Sequence, residues 1–366
     1  MEKKIIIFIP HIRGGGVEKN FFIISNYLAK KIKNISVITV NKECKSKLDK
    51  KIKLISPESS KWKNSSIYIK YLIAIILLIK TLFKNNDYLI FSFQANWYSI
   101  LVAKFFGSKV ISRSNTAPEG WSNNFLKKLL YKNILRFADL IIVNSKEFQM
   151  TMKKNFDINT KVIYNPLNLK KIIKLSKKKL NFSFFNNKND FKLINIGRFT
   201  DQKNQILILN AFKNISKKIN AKLVIAGRGI NASLLKNYVK ENKLSNSVKI
   251  IDFLENPFPL LKKSDVFILS SNFEGLPNVL LEAQSLKLAI ISSKCPTGPR
   301  EILLNGKAGI LFKLNDQHDL EKKILYSYKN KKLLRDKINA GYKNLSRFNQ
   351  DRNLKKYFQT IKKYLT

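Results

Sequence analysis

Along most of its length the chain alternates short, unbroken apolar runs with longer segments whose apolar positions recur at helical spacing. In the first half the runs KKIIIFIP (3–10), ISVITV (35–40), DYLIFSF (87–93), SKVISRS (108–114) and DLIIVNS (139–145) read as strands, with helix-length segments such as NFFIISNYLAKKI (20–32) between them. Apolar strands without polar alternation, separated by helices, predict a parallel sheet covered on both faces. The pattern lapses over KKIIKLSKKKLNFSFFNNKND (170–190). It restarts with the strand-like runs FKLINIG (191–197), AKLVIAG (221–227), SVKIIDF (247–253), DVFILS (265–270) and LAIISS (288–293). The fold predicted is therefore α/β, with two doubly wound domains. They span 1–168 and 191–345, joined by a connection at 169–190. An amphipathic helix at 346–366 is expected to pack back on the first domain. Two such domains facing one another place a ligand in the cleft between them, at the carboxyl ends of strands.

Two helical segments change that picture at the surface. In YIKYLIAIILLIKTLF (68–83) the uninterrupted apolar core lies between Lys70 and Lys80. That is far short of the ~20 residues a membrane span needs, so it reads as a buried helix ahead of DYLIFSF. In FLKKLLYKNILRF (125–137) apolar residues fall at 125, 126, 129, 130, 134 and 137, with Lys127, Lys128, Lys132 and Arg136 between them. A helix lying on an anionic membrane surface has this pattern, and so does an ordinary surface helix with its stripe in the core.

Composition sharpens the question of partners. The 366 residues carry 69 Lys and Arg against 24 Asp and Glu, a formal charge of +45. Much of it is lysine in a chain also crowded with Asn and Ile, the mark of a compositional bias. A surface this basic attracts nucleic acid or anionic lipid headgroups. The lysines run through nearly every segment and no nucleic-acid-binding motif appears, so no nucleic-acid partner is expected. Arginine is scarce, and Arg13, Arg113, Arg198, Arg228 and Arg300 each sit beside a glycine, serine or proline. Where lysine is the default, such positions point to a planar bidentate donor for phosphate or carboxylate. Cys44 and Cys295 lie far apart and the histidines are His11 and His318. No metal site or disulfide framework is expected. The opening residues run directly into a strand without a signal cleavage site, which leads us to expect a cytoplasmic location.

Three stretches bear chemistry. In NIGRFTDQKNQ (195–205) a strand ends at Gly197, and Arg198 and Lys203 follow before a helix, an arrangement suited to a diphosphate. RGGGVEKNF (13–21) offers glycine amides at the start of a helix, without the spacing of a dinucleotide fingerprint or a Walker loop. In SNFEGLPNVLLEAQSLK (271–287), Glu274 sits in a strand-to-helix loop and Glu282 within the helix, with Pro277 suited to its first turn. Ionised carboxylates there accept hydrogen bonds from sugar and ribose hydroxyls. A helix cap and a solvated helix residue would account for the two glutamates as well.

The order of GGGVEK, IGRFTDQKN, NFEGLPNVLLEA and CPTGPREIL resembles glycosyltransferase family 4, the retaining nucleotide-sugar transferases of GT-B fold. The likeness covers nearly the whole chain. It is similar to the branch that adds sugars, N-acetylhexosamines or hexoses, to lipid-linked glycans and surface polysaccharides. The resemblance implies that Arg198 and Lys203 bind the diphosphate and, with Glu274, form the catalytic group. Glu282 would hold the ribose hydroxyls. Glu274 with Gly275, Leu276, Pro277 and Asn278 would contact the donor sugar, Phe253 and Leu254 would lie beside the base, and Gly15 and Gly16 near the phosphate and acceptor. It further implies a UDP-sugar donor, no metal or other cofactor, a lipid-linked or glycan acceptor, and a peripheral place on the inner face of the membrane. A sugar-nucleotide epimerase or hydrolase of similar fold is the competing enzyme reading. The chain departs from the family at Ser285, Leu286 and Lys287, where a glycine is usual, and at Lys294, where an aspartate is common.

Overall fold

The computed structural model describes residues 4–12, 14–115 and 125–365, a set that omits Arg13 and also leaves out the side chains of Ser60, Lys63, Phe125, Lys128 and Lys331. The chain divides into two compact units, Met1–Pro166 with Gln350–Thr366, and Leu167–Asn349.

The first unit runs β1 (Lys4–Phe8), α1 (Gly16–Ala29), β2 (Ile35–Ile38), β3 (Lys53–Ile55), α2 (Ile67–Lys84), β4 (Tyr88–Ser92), α3 (Asn96–Phe105), β5 (Lys109–Arg113), α4 (Phe125–Arg136), β6 (Leu140–Val143), α5 (Lys146–Phe156) and β7 (Lys161–Val162). Its sheet has the order β3-β2-β1-β4-β5-β6-β7, with parallel pairing throughout. The unbroken apolar runs follow from burial on both faces. Ile5 and Ile7 of β1 pack with Phe21, Ile24 and Leu28 of α1. Ile6 and Phe8, pointing the other way, pack with Ala74, Leu78 and Leu82 of α2 and Ile100 and Ala103 of α3.

The second unit runs α6 (Leu169–Ser176), β8 (Phe191–Ile196), α7 (Gln205–Ile215), β9 (Ala221–Ala226), α8 (Ala232–Glu241), β10 (Val248–Ile251), α9 (Phe258–Lys262), β11 (Val266–Leu269), α10 (Asn278–Ser285), β12 (Ala289–Ser293), α11 (Pro299–Ile302), β13 (Ile310–Phe312), α12 (Gln317–Lys329) and α13 (Lys331–Asn344). Its sheet is again parallel, in the order β10-β9-β8-β11-β12-β13. The stretch 169–190, expected to be a connection, belongs to this unit. Asn168 caps α6 through its side chain to the Lys171 amide, and Ile172 is buried. Asn256 Nδ2 donates to the Leu175 carbonyl at 3.1 Å, and Phe185 is buried in a short 3-10 turn. The apolar residues of α6 recur over only two turns, which hides its period among lysines.

The last helix, α14 (Gln350–Lys362), belongs to the first unit. It starts at 350, after a 3-10 turn over Leu345–Phe348. Leu354, Tyr357 and Ile361, at helical spacing, join the cluster under α1. At its centre lies Arg113, fully buried at the end of β5. Its Nε donates to the Tyr357 hydroxyl at 2.8 Å and a terminal nitrogen donates to Asn165 Oδ1 at 2.7 Å. The guanidinium lies 5.4 Å from the Phe93 ring centroid and 6.0 Å from that of Tyr357. Arg113 thus holds the fold together, where its sequence context pointed to a ligand.

Tyr357→Phe keeps the ring and strands the Arg113 Nε–H. We expect a loss of about 1–3 kcal/mol, the cost of an unsatisfied buried donor. It is measured as a lower urea midpoint at unchanged slope; a midpoint equal to wild type would show the bond to be idle.

Candidate functional site

The second unit gathers the predicted site residues at one edge of its sheet. β8 is the first strand of that sheet and lies between β9 and β11, so the winding direction reverses between β8 and β11. Loops leaving the carboxyl ends of the two strands diverge there, and ligands of open parallel sheets bind at such a point. Arg198 and Lys203 stand on the loop after β8, and Glu274 and Gly275 on the loop after β11.

The two loops are laced together. Lys203 Nζ lies 2.5 Å from Glu274 Oε1, with 16% and 8% of the two side chains exposed. Ser270 Oγ donates to the Lys203 carbonyl at 2.8 Å, and the Asn272 amide to the Gln202 carbonyl at 2.8 Å. Gln202 Nε2 returns a bond to the Phe273 carbonyl at 3.0 Å. Asn204, in the left-handed region at φ 45°, opens α7, and its side chain reaches Asn272 Oδ1 and Asn315 Oδ1. Gln205, buried on the first turn of α7, donates to the Arg198 carbonyl at 2.9 Å. The backbone of Arg198 is held, while its side chain is exposed and its guanidinium has no partner among the described residues.

A third loop, after β12, braces the second. Thr297 Oγ1 donates to the Glu274 carbonyl, and the Glu274 amide to the Pro296 carbonyl at 3.4 Å. Gly298 has φ 75°, and a Cβ there would meet the Gly275 carbonyl oxygen at 2.2 Å. Only glycine fits both the left-handed backbone and the close approach. On the other side of β8 the backbone approaches as closely, since a Cβ on Gly227 would stand 1.8 Å from the Gly197 carbonyl oxygen. Between Gly227 and Gly229, Arg228 lays its guanidinium over the Phe253 ring, 4.8 Å from the centroid. Phe253 is half exposed and Leu254 half buried, just past the end of β10.

Gly275, Leu276 and Pro277 are buried and Asn278 half buried. Pro277, expected in the first helical turn, is the residue before it, with extended backbone, and α10 begins at Asn278. Glu282 is buried on the second turn of that helix rather than solvated. Gly15 and Gly16 belong to the first unit, at the start of α1. The Gly15 amide, expected to face a phosphate, donates to Glu18 Oε2 at 2.9 Å, and Glu18 Oε1 accepts from Gln94 Nε2 at 3.4 Å. Sequence reading missed the bracing by Thr297 and Gly298 and the packing role of Gly227 and Gly229. The visible signals were TGP and GRG, each just after a strand.

The arrangement sets one free guanidinium, one lysine paired to a carboxylate and an aromatic face at a single sheet edge. Cations on fixed loops stabilise an anion without reorganising, and a buried carboxylate accepts from hydroxyls. An aromatic face at such an edge suits a planar ring.

Comparison with known proteins bears on the same residues. Residues 176–344 match the family described as "Glycosyl transferases group 1". An uncharacterized glycosyltransferase of Methanocaldococcus jannaschii is 38% identical over 197 residues, 52% of this chain and 48% of that protein. The chain thus spans about half the length of that relative. A Campylobacter jejuni enzyme, GalNAc-α-(1→4)-GalNAc-α-(1→3)-diNAcBac-PP-undecaprenol α-1,4-N-acetyl-D-galactosaminyltransferase, is 27% identical over 336 residues, 88% of each chain. Among solved structures, HepE of Anabaena with UDP and glucose bound superposes with a TM-score of 0.77 at 18% identity, over 98% of this chain and 99% of that one. The fold is that of the GT-B glycosyltransferases, built from two Rossmann-like parallel-sheet units, and the second unit carries the glycosyltransferase match.

Proposed function

We propose that the protein is a retaining glycosyltransferase of family 4. It moves an N-acetylhexosamine or hexose from a UDP-sugar to a lipid-linked or polysaccharide acceptor in cell-surface glycan assembly. The observation that carries this reading is the laced pair of loops at the switch point, Arg198 and Lys203 on one and Glu274 on the other, inside the segment that matches the family. HepE holds UDP and glucose in the same fold, and the Campylobacter relative is named for transfer to an undecaprenol-linked glycan.

In this reaction the bond between C1 of the sugar and the β-phosphate oxygen breaks, a bond from C1 to an acceptor hydroxyl oxygen forms, and the proton of that hydroxyl passes to the departing β-phosphate. Negative charge grows on the departing UDP. Arg198, free and exposed, and Lys203, released in part from Glu274, meet that charge. Among the described residues no three His, Cys, Asp or Glu side chains gather where they could hold an ion. We assign the stabilising work to these fixed cations and to the N-terminus of α7. Glu274 and the backbone from Gly275 to Asn278 receive the sugar, Glu282 the ribose hydroxyls, and Phe253 and Leu254 the base. Among the described residues no helix is long and apolar enough to cross a membrane. A lipid-linked acceptor then calls for peripheral attachment to the cytoplasmic face.

Arg198→Ala is the clean test of charge stabilisation, because the guanidinium makes no hydrogen bond or ion pair among the described residues. Turnover is expected to fall by about 100-fold or more at unchanged melting temperature. Wild-type turnover would refute the role. Lys203→Ala should lower both quantities, since it leaves the Glu274 carboxylate buried without its partner, a cost of about 3–5 kcal/mol.

Donor class is read by thermal shift against UDP-, GDP- and ADP-sugars without added metal. UDP-sugars are expected to raise the melting temperature, and Glu282→Ala to abolish the rise. A shift with another nucleotide alone would correct the donor, and a shift that survives in the variant would remove Glu282 from the site.

A further inference from the structure

The first unit carries a surface that the donor site does not explain. Helices α2, α3 and α4 lie side by side on one face of its sheet, over the cluster that contains Leu78, Ile100 and Ile134. A helix covering a sheet buries one stripe and gives a polar face to water. α2 does not: Ala74, Leu78 and Leu82 are buried, yet on the opposite side Tyr68, Leu72, Ile76, Ile79 and Phe83 form a second apolar stripe that is exposed. Sequence reading expected a buried helix there, and half of it is open.

The neighbouring helices continue the stripe. Tyr98, Leu101 and Phe105 are exposed at i, i+3 and i+7 of α3. On α4, Leu126, Leu129 and Leu130 are exposed, as is Phe137 just beyond it. Trp97 of α3 stacks on Tyr131 of α4 at 3.2 Å between ring centroids, which ties the two helices. Phe83 and Phe105 are 83% and 85% exposed, within a run of exposed apolar residues on adjoining helices, and contiguous apolar patches of this kind mark interaction sites.

Charge selects the occupant. Not one residue of α2, α3 or α4 is acidic. Lys80, Lys84, Lys127, Lys132 and Arg136 lie on the same helices as the apolar stripes. A second copy of the chain, itself +45, would bring like charges together across such a face. An anionic bilayer offers both an apolar interior for the aromatic rings and negative headgroups for the lysines, whose long stems let the ammonium reach the headgroup level.

We propose that the face made by α2, α3 and α4 docks on an anionic lipid bilayer, with Tyr68, Phe83 and Phe105 entering its interfacial layer. This deepens the reading above by naming the surface that attaches the enzyme to the membrane, and it rests on that reading only for the reason to be there.

The test is flotation of the full chain with phosphatidylcholine vesicles, with and without phosphatidylglycerol. The Tyr68→Ser, Phe83→Ser, Phe105→Ser triple variant is run in parallel. The substitutions leave the net charge unchanged, so any indiscriminate attraction of a basic protein survives them. We expect the wild type to float with the anionic vesicles alone, and the triple variant to bind them at least about tenfold more weakly. It should keep the UDP-sugar thermal shift. Equal flotation of the two proteins, or none by the wild type, would overturn the proposal. So would a wild type found dimeric by light scattering with a monomeric triple variant, because a second copy would then cover the face. Loss of the UDP-sugar shift in the wild type would instead count against the donor site and leave the bilayer result standing.

Discussion

The ion pair between Lys203 and Glu274 is the constraint on which the geometry of the second unit turns. A carboxylate with so little exposure is costly without a cation beside it, and the lysine is almost as deeply set. Each residue stands on a loop that leaves its own strand, so satisfying the charge fixes one loop against the other. The backbone bonds between Gln202, Lys203, Ser270, Asn272 and Phe273 then follow as the loops run close together. The glycines at 227 and 298 are required by the same closeness, one on either flank, because the loops leave no room for a Cβ. The Arg198 guanidinium, on the same loop as Lys203, has no partner for its charge among the described residues.

Much of this was legible beforehand. Strands buried on both faces announce themselves as apolar runs, which is why ten of the segments read as strands coincide with β1, β2, β4, β5, β6, β8, β9, β10, β11 and β12. The three others, β3, β7 and β13, span two or three residues each at or near a sheet edge. So few residues carry no period. Arg198, Lys203 and Glu274 could be placed because strand-end loops of a parallel sheet share an edge. Their mutual pairing could not, since register across β8 and β11 joins residues more than seventy positions apart. Glu282 illustrates the same limit: helix phase placed it on α10 but not on the side that is buried.

Scarcity of arginine proved an uneven guide. At Arg198 and Arg228 the planar cation is open or stacked on an aromatic ring at the sheet edge. At Arg113 the same chemistry serves the interior, where the guanidinium satisfies a tyrosine hydroxyl and an asparagine with aromatic rings beside it. Both uses rest on a delocalised charge that tolerates poor hydration, a property lysine lacks. Sequence context does not separate them, because either one falls at the carboxyl end of an apolar strand. The same ambiguity affected α2, whose apolar residues encircle the helix and so match a buried element as well as one half open.

The position of α14 also constrains how the chain is made. Leu354, Tyr357 and Ile361 complete a core whose other members come from residues 5 to 163. Synthesis runs from the amino end, and domains fold as units as they emerge from the ribosome. The second unit, continuous from Leu167 to Asn349, is in hand before its predecessor has its last helix. The earlier-made sheet must wait, with the side of β1, β4 and β5 that faces Tyr357 incompletely covered and Arg113 lacking its tyrosine. A stretch so rich in isoleucine, held open for that interval, is where chaperone dependence of this protein would arise.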